Sequence, residues 1–231
     1  MIERPIIFSG PLVRAILEGR KTETRRPVLP MRGEQSTWLT IPGLGASPGG
    51  RMTPDAACGF GWQFFHPKAG TRHAGVDVAP DSPGGWVHCP YGAPGDRLWV
   101  RETFRFPSDL DKTRPSGIAE MADDAGWAPV SYRADFAEMN ANRSWLEAHG
   151  WGRWRSSIHM PRWASGLLLE VEEVRVERLQ DITHRGALAE AAPLPRFRAV
   201  WDGMYAGRKD KPGLDWVSNP WVWVVAFRRL P

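Results

Sequence analysis

Short segments with regularly spaced hydrophobic residues begin and end the chain. Residues 6–8 predict a strand, and Ser9 is a residue type favoured at helix N-termini. The apolar positions within 12–17 then recur at helical spacing, and Gly19 fits the left-handed residue that often follows a helix. The alternating run 221–228 predicts a closing strand. We therefore expect both ends of the chain to form compact structure.

The middle of the chain predicts further strands and helices. They are a strand over 97–102, a strand over 167–176, a helix from 181 or 183 to 190 and a helix over 197–206. In the first strand, Leu98 and Val100 are expected on one face and Trp99 on the other. The last helix is expected to present one apolar face made of Phe197, Val200, Trp201 and Met204. Strands interleaved with short helices suit a small mixed or antiparallel β-barrel of class α+β.

Residues 27–90 differ in composition because they hold roughly half of the chain's 24 glycines and 21 prolines. This density disfavours long helices and central strands, and the stretch is too long for an ordinary connection. We interpret it as a loop-rich insertion in a single domain that covers residues 1–231. A second excursion is expected at about 105–150, with a helix within 134–149.

Composition and charge narrow the class of protein. The 231 residues are 42% hydrophobic, enough for a sizeable core. No apolar run approaches the roughly 20 residues needed to span a membrane, the N-terminus lacks a signal-peptide pattern, and two cysteines make no disulfide framework. We expect a cytoplasmic protein. Its net charge of +4 mildly favours anionic partners, and its 13 tryptophans could fill a core or stack on bases.

Residues 19–26, here called the signature segment, carry the most informative side chains. They include four cations, two hydroxyls and one carboxylate in eight positions. A bend after the helix would let Lys21 and Thr24 converge, and an amine beside a hydroxyl can accept its proton as the oxygen attacks. The alternative interpretation is a basic turn whose cations complement the helix C-terminus.

The pattern Gly-x-Lys-x-x-Thr-x-Arg in this segment resembles the signature of the ASCH domain family, whose fold is a PUA-like barrel. Here it is formed by Gly19, Lys21, Thr24 and Arg26. Other segments resemble larger family members found in phages and prophages, in the same order along the chain. They are residues 90–102, 157–165, 179–183 and 219–224. The resemblance implies an α+β fold with a PUA-like barrel, short helices and an insertion that the family pattern does not cover.

One branch of this family hydrolyses N4-acetylcytidine to cytidine and acetate, using a Lys, a Thr and a Glu. Lys21 and Thr24 match the first two positions, and aligning residues 179–183 places Glu190 at the third. The resemblance therefore implies an amidohydrolase in which Thr24 attacks the acyl carbon. Lys21 would take the hydroxyl proton, which requires a lowered amine pKa, and Glu190 would protonate the leaving amine or orient a water. Residues 184–186 depart from the acidic start expected for this helix.

Base recognition would need a stacking ring and polar groups on the pyrimidine edge, with cations for any phosphate. The substrate-binding candidates are Arg26, Tyr91, Trp99, Arg101, Arg155 and Trp163. The alternative for each ring is a place in the core, and for each arginine a surface charge. The expected partner is a modified cytidine nucleoside or RNA. A non-catalytic module that binds RNA or a modified base, and a ribonuclease, are the alternative functions.

No cofactor is expected, and one alternative involves a metal. A structural zinc site through Cys58, His66, His73 and Cys89 could order the insertion. The spacings of these residues match no standard zinc pattern.

Overall fold

The computed structural model describes residues 1–28, 51–55, 61–65, 71–73, 76–78, 83–118, 128–139, 143–208 and 213–231; only the backbone is considered within 51–88 and at residues 143 and 145. It is a mixed α+β structure with mostly antiparallel sheets, which confirms the predicted class. Within these residues, no helix combines the length and the hydrophobicity needed to cross a membrane.

The described residues form thirteen strands, five α-helices and several short 3-10 helices. The strands are β1 Glu3–Ile7, β2 Glu23–Pro27, β3 Arg51–Asp55, β4 Gly61–Phe65, β5 Thr71–His73, β6 Val76–Val78, β7 Pro83–His88, β8 Arg97–Arg101, β9 Phe104–Arg105, β10 Val130–Tyr132, β11 Glu138–Met139, β12 Leu168–Arg178 and β13 Trp221–Arg229. The helices are α1 Gly10–Leu17, α2 Pro115–Ile118, α3 Arg143–His149, α4 His184–Ala189 and α5 Leu194–Tyr205.

The largest sheet has five strands in the order β1-β8-β12-β13-β2. Strands β1 and β8 pair in parallel, with Ile6 opposite Val100, whereas β8 with β12 and β13 with β2 pair antiparallel. The order of the described strands runs from β1 at one end to β2 at the other, and no closed barrel is found among them. The smaller sheets have the orders β11-β10-β9, β3-β4-β7 and β5-β6.

The chain divides into two compact units. The first consists of Met1–Lys21, Gly95–Val171 and Phe227–Pro231, and the second of Thr22–Pro94 and Glu172–Ala226. Strands β12 and β13 contribute residues to both units, because each unit boundary falls inside them.

A hydrophobic cluster around β9 and β10 forms one core of the first unit. Phe104 and Phe106 are fully buried there and meet edge to face, with ring centroids 5.2 Å apart. On β8, Leu98, Trp99 and Val100 are all buried. Strand β8 is thus covered on both of its predicted faces, the one with Leu98 and Val100 and the one with Trp99. Burial of both faces is typical of a strand that has neighbours on both edges and large residues on both sides.

The core of the second unit packs α4 and α5 against β13. Helix α5 begins at Leu194, three residues before the predicted start, and buries Phe197 and Trp201. Val200 and Met204 were expected on the same face, but they are 46% and 40% exposed. The buried stripe follows the i, i+4 spacing of Phe197 and Trp201 onward to the half-buried Tyr205, so it lies one residue away from the predicted face.

The Gly/Pro-rich insertion contains five short strands that its composition did not predict. The aromatic run Gly61–Phe65 forms the central strand of the β3-β4-β7 sheet. Pro54 lies in an edge strand, and Pro83 is the first residue of the other edge strand. Proline is tolerated at those places because the missing N–H is not needed there. The high average content of glycine and proline in residues 27–90 did not reveal that Pro54 and Pro83 fall in edge strands and the aromatic run in the central one.

Candidate functional site

The end of helix α1 determines where Lys21 lies in the first unit. Gly19 has a φ of +72°, as expected for a helix-terminating glycine. The backbone N–H groups of Arg20 and Lys21 then donate to the carbonyl of Ala15, at 2.8 and 3.0 Å. The chain consequently turns back, and Lys21 is only 2% exposed. Its Nζ lies 5.5 Å from the centroid of the Phe8 ring, within cation–π range.

Thr24 lies on strand β2 in the second unit, opposite Val225. Its side chain is 2% exposed. The carboxylate of Glu190 accepts a hydrogen bond from the backbone N–H of Arg25, the residue that follows Thr24. The two partners of this hydrogen bond are 165 residues apart in sequence. The fold therefore brings the predicted acid to the residue adjoining the predicted nucleophile.

Helix α4 positions Glu190. Thr183 caps the start of the helix, because its hydroxyl accepts a hydrogen bond from the N–H of Gly186 at 3.0 Å. Glu190 is the residue at the C-terminal cap and is 8% exposed. The preceding carbonyl, that of Ala189, accepts from the N–H of Thr22 at 2.9 Å. Ala189 and Glu190, at the end of α4, thus both accept hydrogen bonds from the backbone of the signature segment.

Arg25 is the centre of a buried ionic network that the sequence analysis did not identify. Its side chain is 1% exposed. Its guanidinium lies 2.7 Å from Glu177, 3.3 Å from Glu23 and 3.7 Å from Glu190. Arg175 continues the network, at 3.2 Å from Glu23 and 3.5 Å from Glu177. Burial alone would lower the pKa of Arg175, but the surrounding carboxylates raise it.

A second polar group in the same unit contains Arg26, Tyr91 and Tyr205. Burial raises the pKa of both tyrosines, and the positive charge of Arg26 partly opposes this effect. Arg26 also donates a hydrogen bond to the Tyr205 hydroxyl, and the negative charge of Glu190 acts on the same tyrosine. Tyr205 was missed by sequence reasoning, although its position four residues after Trp201 places it on the buried face of α5.

The other substrate-binding candidates lie in the first unit and pack within it. Trp99 is buried, and the guanidinium of Arg101 lies 4.6 Å from the centroid of its ring. Trp163 stacks on Phe106 with a centroid distance of 5.5 Å. Arg155 is buried and donates to two backbone carbonyls. Each of these contacts lies within the first unit.

The predicted site residues therefore divide between the two units. The second unit contains Thr24, Arg26, Tyr91 and Glu190, and the first contains Lys21, Trp99, Arg101, Arg155 and Trp163. Lys21 and Thr22 are consecutive residues on either side of the boundary.

The zinc hypothesis falls mostly outside the described part of the chain. Cys58 and His66 are outside the described residues, and only the backbone of His73 is described. The thiol-bearing residue Cys89 is buried. In the part of the chain that the structure describes, no three His, Cys, Asp or Glu side chains are grouped as metal ligands.

No protein-family model, curated protein or solved structure matches this chain. Its chemistry has to be inferred from its motifs and from the geometry of the described residues.

Proposed function

We propose that the protein is an amidohydrolase that removes the acyl group from N4-acylated cytosine nucleosides such as N4-acetylcytidine. Lys21, Thr24 and Glu190 are its proposed catalytic residues, and the ASCH family with its PUA-like barrel is the proposed fold family. The observation that carries the proposal is the hydrogen bond from the backbone N–H next to Thr24 to the Glu190 carboxylate.

The surroundings of this hydrogen bond support a reactive site. A carboxylate without protein partners prefers water, so Glu190 needs hydrogen-bond donors to remain buried. It receives one from the Arg25 backbone and lies near the Arg25 guanidinium. Arg25 is therefore a positioning residue that orients Glu190. Lys21, three residues before Thr24, is buried as well, as a proton acceptor for a buried hydroxyl should be.

The reaction would proceed through an acyl-enzyme. The Thr24 oxygen forms a bond to the acyl carbon while its proton passes to the Lys21 amine. The bond between the acyl carbon and N4 then breaks, and N4 takes a proton to leave as cytidine. Either Glu190 supplies this proton and regains one from the Lys21 ammonium, or the Lys21 ammonium supplies it and Glu190 orients the water that next attacks the acyl carbon. That water releases the carboxylic acid and returns a proton to Thr24.

Arg26, Tyr91 and Tyr205 provide the groups suited to the cytosine edge. Because burial raises the pKa of both tyrosines, their hydroxyls stay protonated at neutral pH and can donate. Cytosine presents the acceptors O2 and N3, which match two such donors. Arg26 holds Tyr205 through its hydrogen bond and would orient that hydroxyl.

The proposal is tested by following the release of cytidine from N4-acetylcytidine by chromatography. Thr24→Val removes the hydroxyl with little change in volume, and we expect kcat to fall by at least about 10²-fold. Lys21→Met should give a comparable loss. Thr24→Ser retains a nucleophile and should keep measurable activity. Thr22→Ala is the matched control, because Thr22 is exposed on the same segment, and its kcat should match that of the wild type.

Circular dichroism and thermal unfolding of each variant separate lost chemistry from lost folding. Absence of cytidine from wild-type reactions with acetyl, propionyl and succinyl substrates would reject the proposed activity. Full activity in folded Thr24→Val would reject the assignment of the nucleophile.

A further inference from the structure

A basic pocket lies entirely within the first unit and contains none of the proposed catalytic residues. It is a cavity of about 730 Å³, within the range typical of ligand sites. Five cationic side chains and one carboxylate contribute to its lining. They are Arg101, Lys112, Arg114, Arg153, Arg155 and Asp111. The hydroxyl groups and the tryptophan that complete the wall suit a polar ligand with a flat ring.

Arg155 holds the wall of the basic pocket in place. It is buried, and its Nη1 and Nη2 donate to the carbonyls of Thr113 and Leu110 at 2.9 and 2.6 Å. These hydrogen bonds fix the backbone on both sides of Lys112, whose side chain is exposed, as is that of Arg114. The cations of this wall are thus presented from an ordered segment.

Among the residues that the structure describes, the pocket has more positive than negative charge. Asp111 is its carboxylate, and it is already engaged by Arg155 at 3.8 Å and by the backbone N–H of Arg153 at 3.1 Å. Arg101, Lys112 and Arg114 form no ion pair with another residue described by the structure. Burial lowers the pKa of Arg155; Asp111 opposes this effect and the nearby charge of Arg153 adds to it. An anion in the pocket would relieve this repulsion.

Two of these guanidiniums have buried donors without a hydrogen-bond partner among the described residues. The Nε atoms of Arg101 and Arg155 are buried and make no hydrogen bond to any residue that the structure describes. Buried donors without acceptors are uncommon in folded proteins and often occur where a ligand or an ion binds.

An alternating series of aromatic rings and guanidiniums adjoins the pocket through Trp154, which lines it. Arg105 lies 4.4 Å from the Trp154 ring centroid and 5.1 Å from that of Trp151. Arg133 lies 5.8 Å from the Trp154 centroid. Flat rings and guanidinium planes both stack on nucleobases, so this series offers several stacking positions beside the cations.

Phe136 adds a further ring to this series, although its backbone conformation is energetically unfavourable. Its ring is 66% exposed and meets Trp154 edge to face, with centroids 6.2 Å apart. Its φ is +58°, a conformation that is rare for a bulky residue. An exposed aromatic ring held in a strained turn gains little from the core, and such strain is more common at functional sites.

We infer that the basic pocket binds the phosphates of a single-stranded nucleic acid, whose bases stack on Trp154 and Phe136. The cations account for phosphate recognition, and the adjoining rings account for a single strand in preference to a duplex, whose bases are already stacked. This inference goes beyond the proposed hydrolysis and does not depend on it, because it concerns binding of an unmodified strand.

The test measures fluorescence anisotropy of a short labelled single-stranded RNA over a series of salt concentrations. We expect Lys112→Gln with Arg114→Gln to lower the slope of log Kobs against log salt by about 1.4, since each phosphate contact on a single strand contributes about 0.7. The matched control is Arg196→Gln with Arg229→Gln, which removes two exposed cations outside the pocket. The control should keep the wild-type slope.

Ring variants test the stacking component. Trp154→Ala should weaken binding about 5- to 150-fold, and Trp154→Phe should restore most of it. Phe136→Asn should weaken binding without lowering the melting temperature, because asparagine tolerates the positive φ. Equal slopes for the pocket and control variants would overturn the inference, as would absence of binding by the wild type. Equal affinity for a duplex of the same sequence would overturn the assignment to single strands.

Discussion

Glu102 is a buried carboxyl group that should make the stability of the protein depend on pH. It follows strand β8 and is 5% exposed. Its pKa is raised from 4.5 to about 7, mainly by burial and also by the charge of Asp135, while a hydrogen bond from the backbone of Ala134 opposes both effects. Its Oε2 has no hydrogen-bond partner among the described residues.

The sign and size of the effect follow from linkage. Since the pKa is higher in the folded state, the folded protein binds more protons between pH 4.5 and about 7, and its stability falls as the pH rises through that window. With a pKa of 4.5 in the unfolded state and about 7 in the folded state, the loss of stability between pH 5 and pH 8 is roughly 2.5 kcal/mol. Glu102→Gln removes the ionisation and should therefore remove this part of the pH dependence.

The assay is urea denaturation of the wild type and Glu102→Gln at pH 5 and at pH 8. We expect the stability difference between the two proteins to shift by roughly 2.5 kcal/mol in favour of the variant at the higher pH. Glu147→Gln, at an exposed position of α3, is the matched control and should follow the wild type. Parallel pH profiles for the wild type and Glu102→Gln would refute this account of Glu102.

Two further perturbations test the packing in each unit. Arg25→Met leaves three carboxylates without their shared cation and should lower the free energy of unfolding by about 3–5 kcal/mol in urea titrations; a neutral effect would contradict the network. Gly166→Ala would place a Cβ 2.9 Å from the Tyr132 hydroxyl and should destabilise the protein by about 1–3 kcal/mol. Gly203→Ala, inside α5 with open space around it, should instead stabilise by about 0.5–1 kcal/mol, so equal effects would contradict the steric reasoning.

The fold class and most regular elements of the two units could be predicted from the sequence, because their signals are local. Thr183 is a helix N-cap, and the strands over 97–102 and 167–176 carry closely spaced apolar residues. The face of α5 was harder to predict, since Val200 and Trp201 are both apolar and only tertiary packing decides which is buried. Burial on both faces of β8 depends likewise on its neighbours in the sheet.

The candidate site was only partly accessible to sequence reasoning. The spacing of Lys21 and Thr24 is a local pattern, whereas the contact of Glu190 with the Arg25 backbone joins distant segments. Tyr205 lies beside Arg26 because of the face that α5 buries. The sequence did not determine which face of this helix is buried. The basic pocket requires Arg101 and residues 111–116 to meet residues 153–161, and no spacing rule predicts that meeting. The sequence itself shows only that tryptophan and arginine are concentrated over residues 151–163.

The Arg25 network is better explained by a positional role than by stability. Burying Arg25 and Glu190, with Glu23 and Glu177 partly buried beside them, costs free energy that their attraction returns only in part, and hydrophobic replacements of such networks are often neutral or stabilising. A chain selected for stability alone gains little from a buried arginine on β2. The same arginine lies near the Glu190 carboxylate through its guanidinium and donates to it through its backbone. Apolar side chains could not orient the Glu190 carboxylate next to the backbone that carries Thr24. In the proposed reaction, this orientation is what the network contributes in return for its energetic cost.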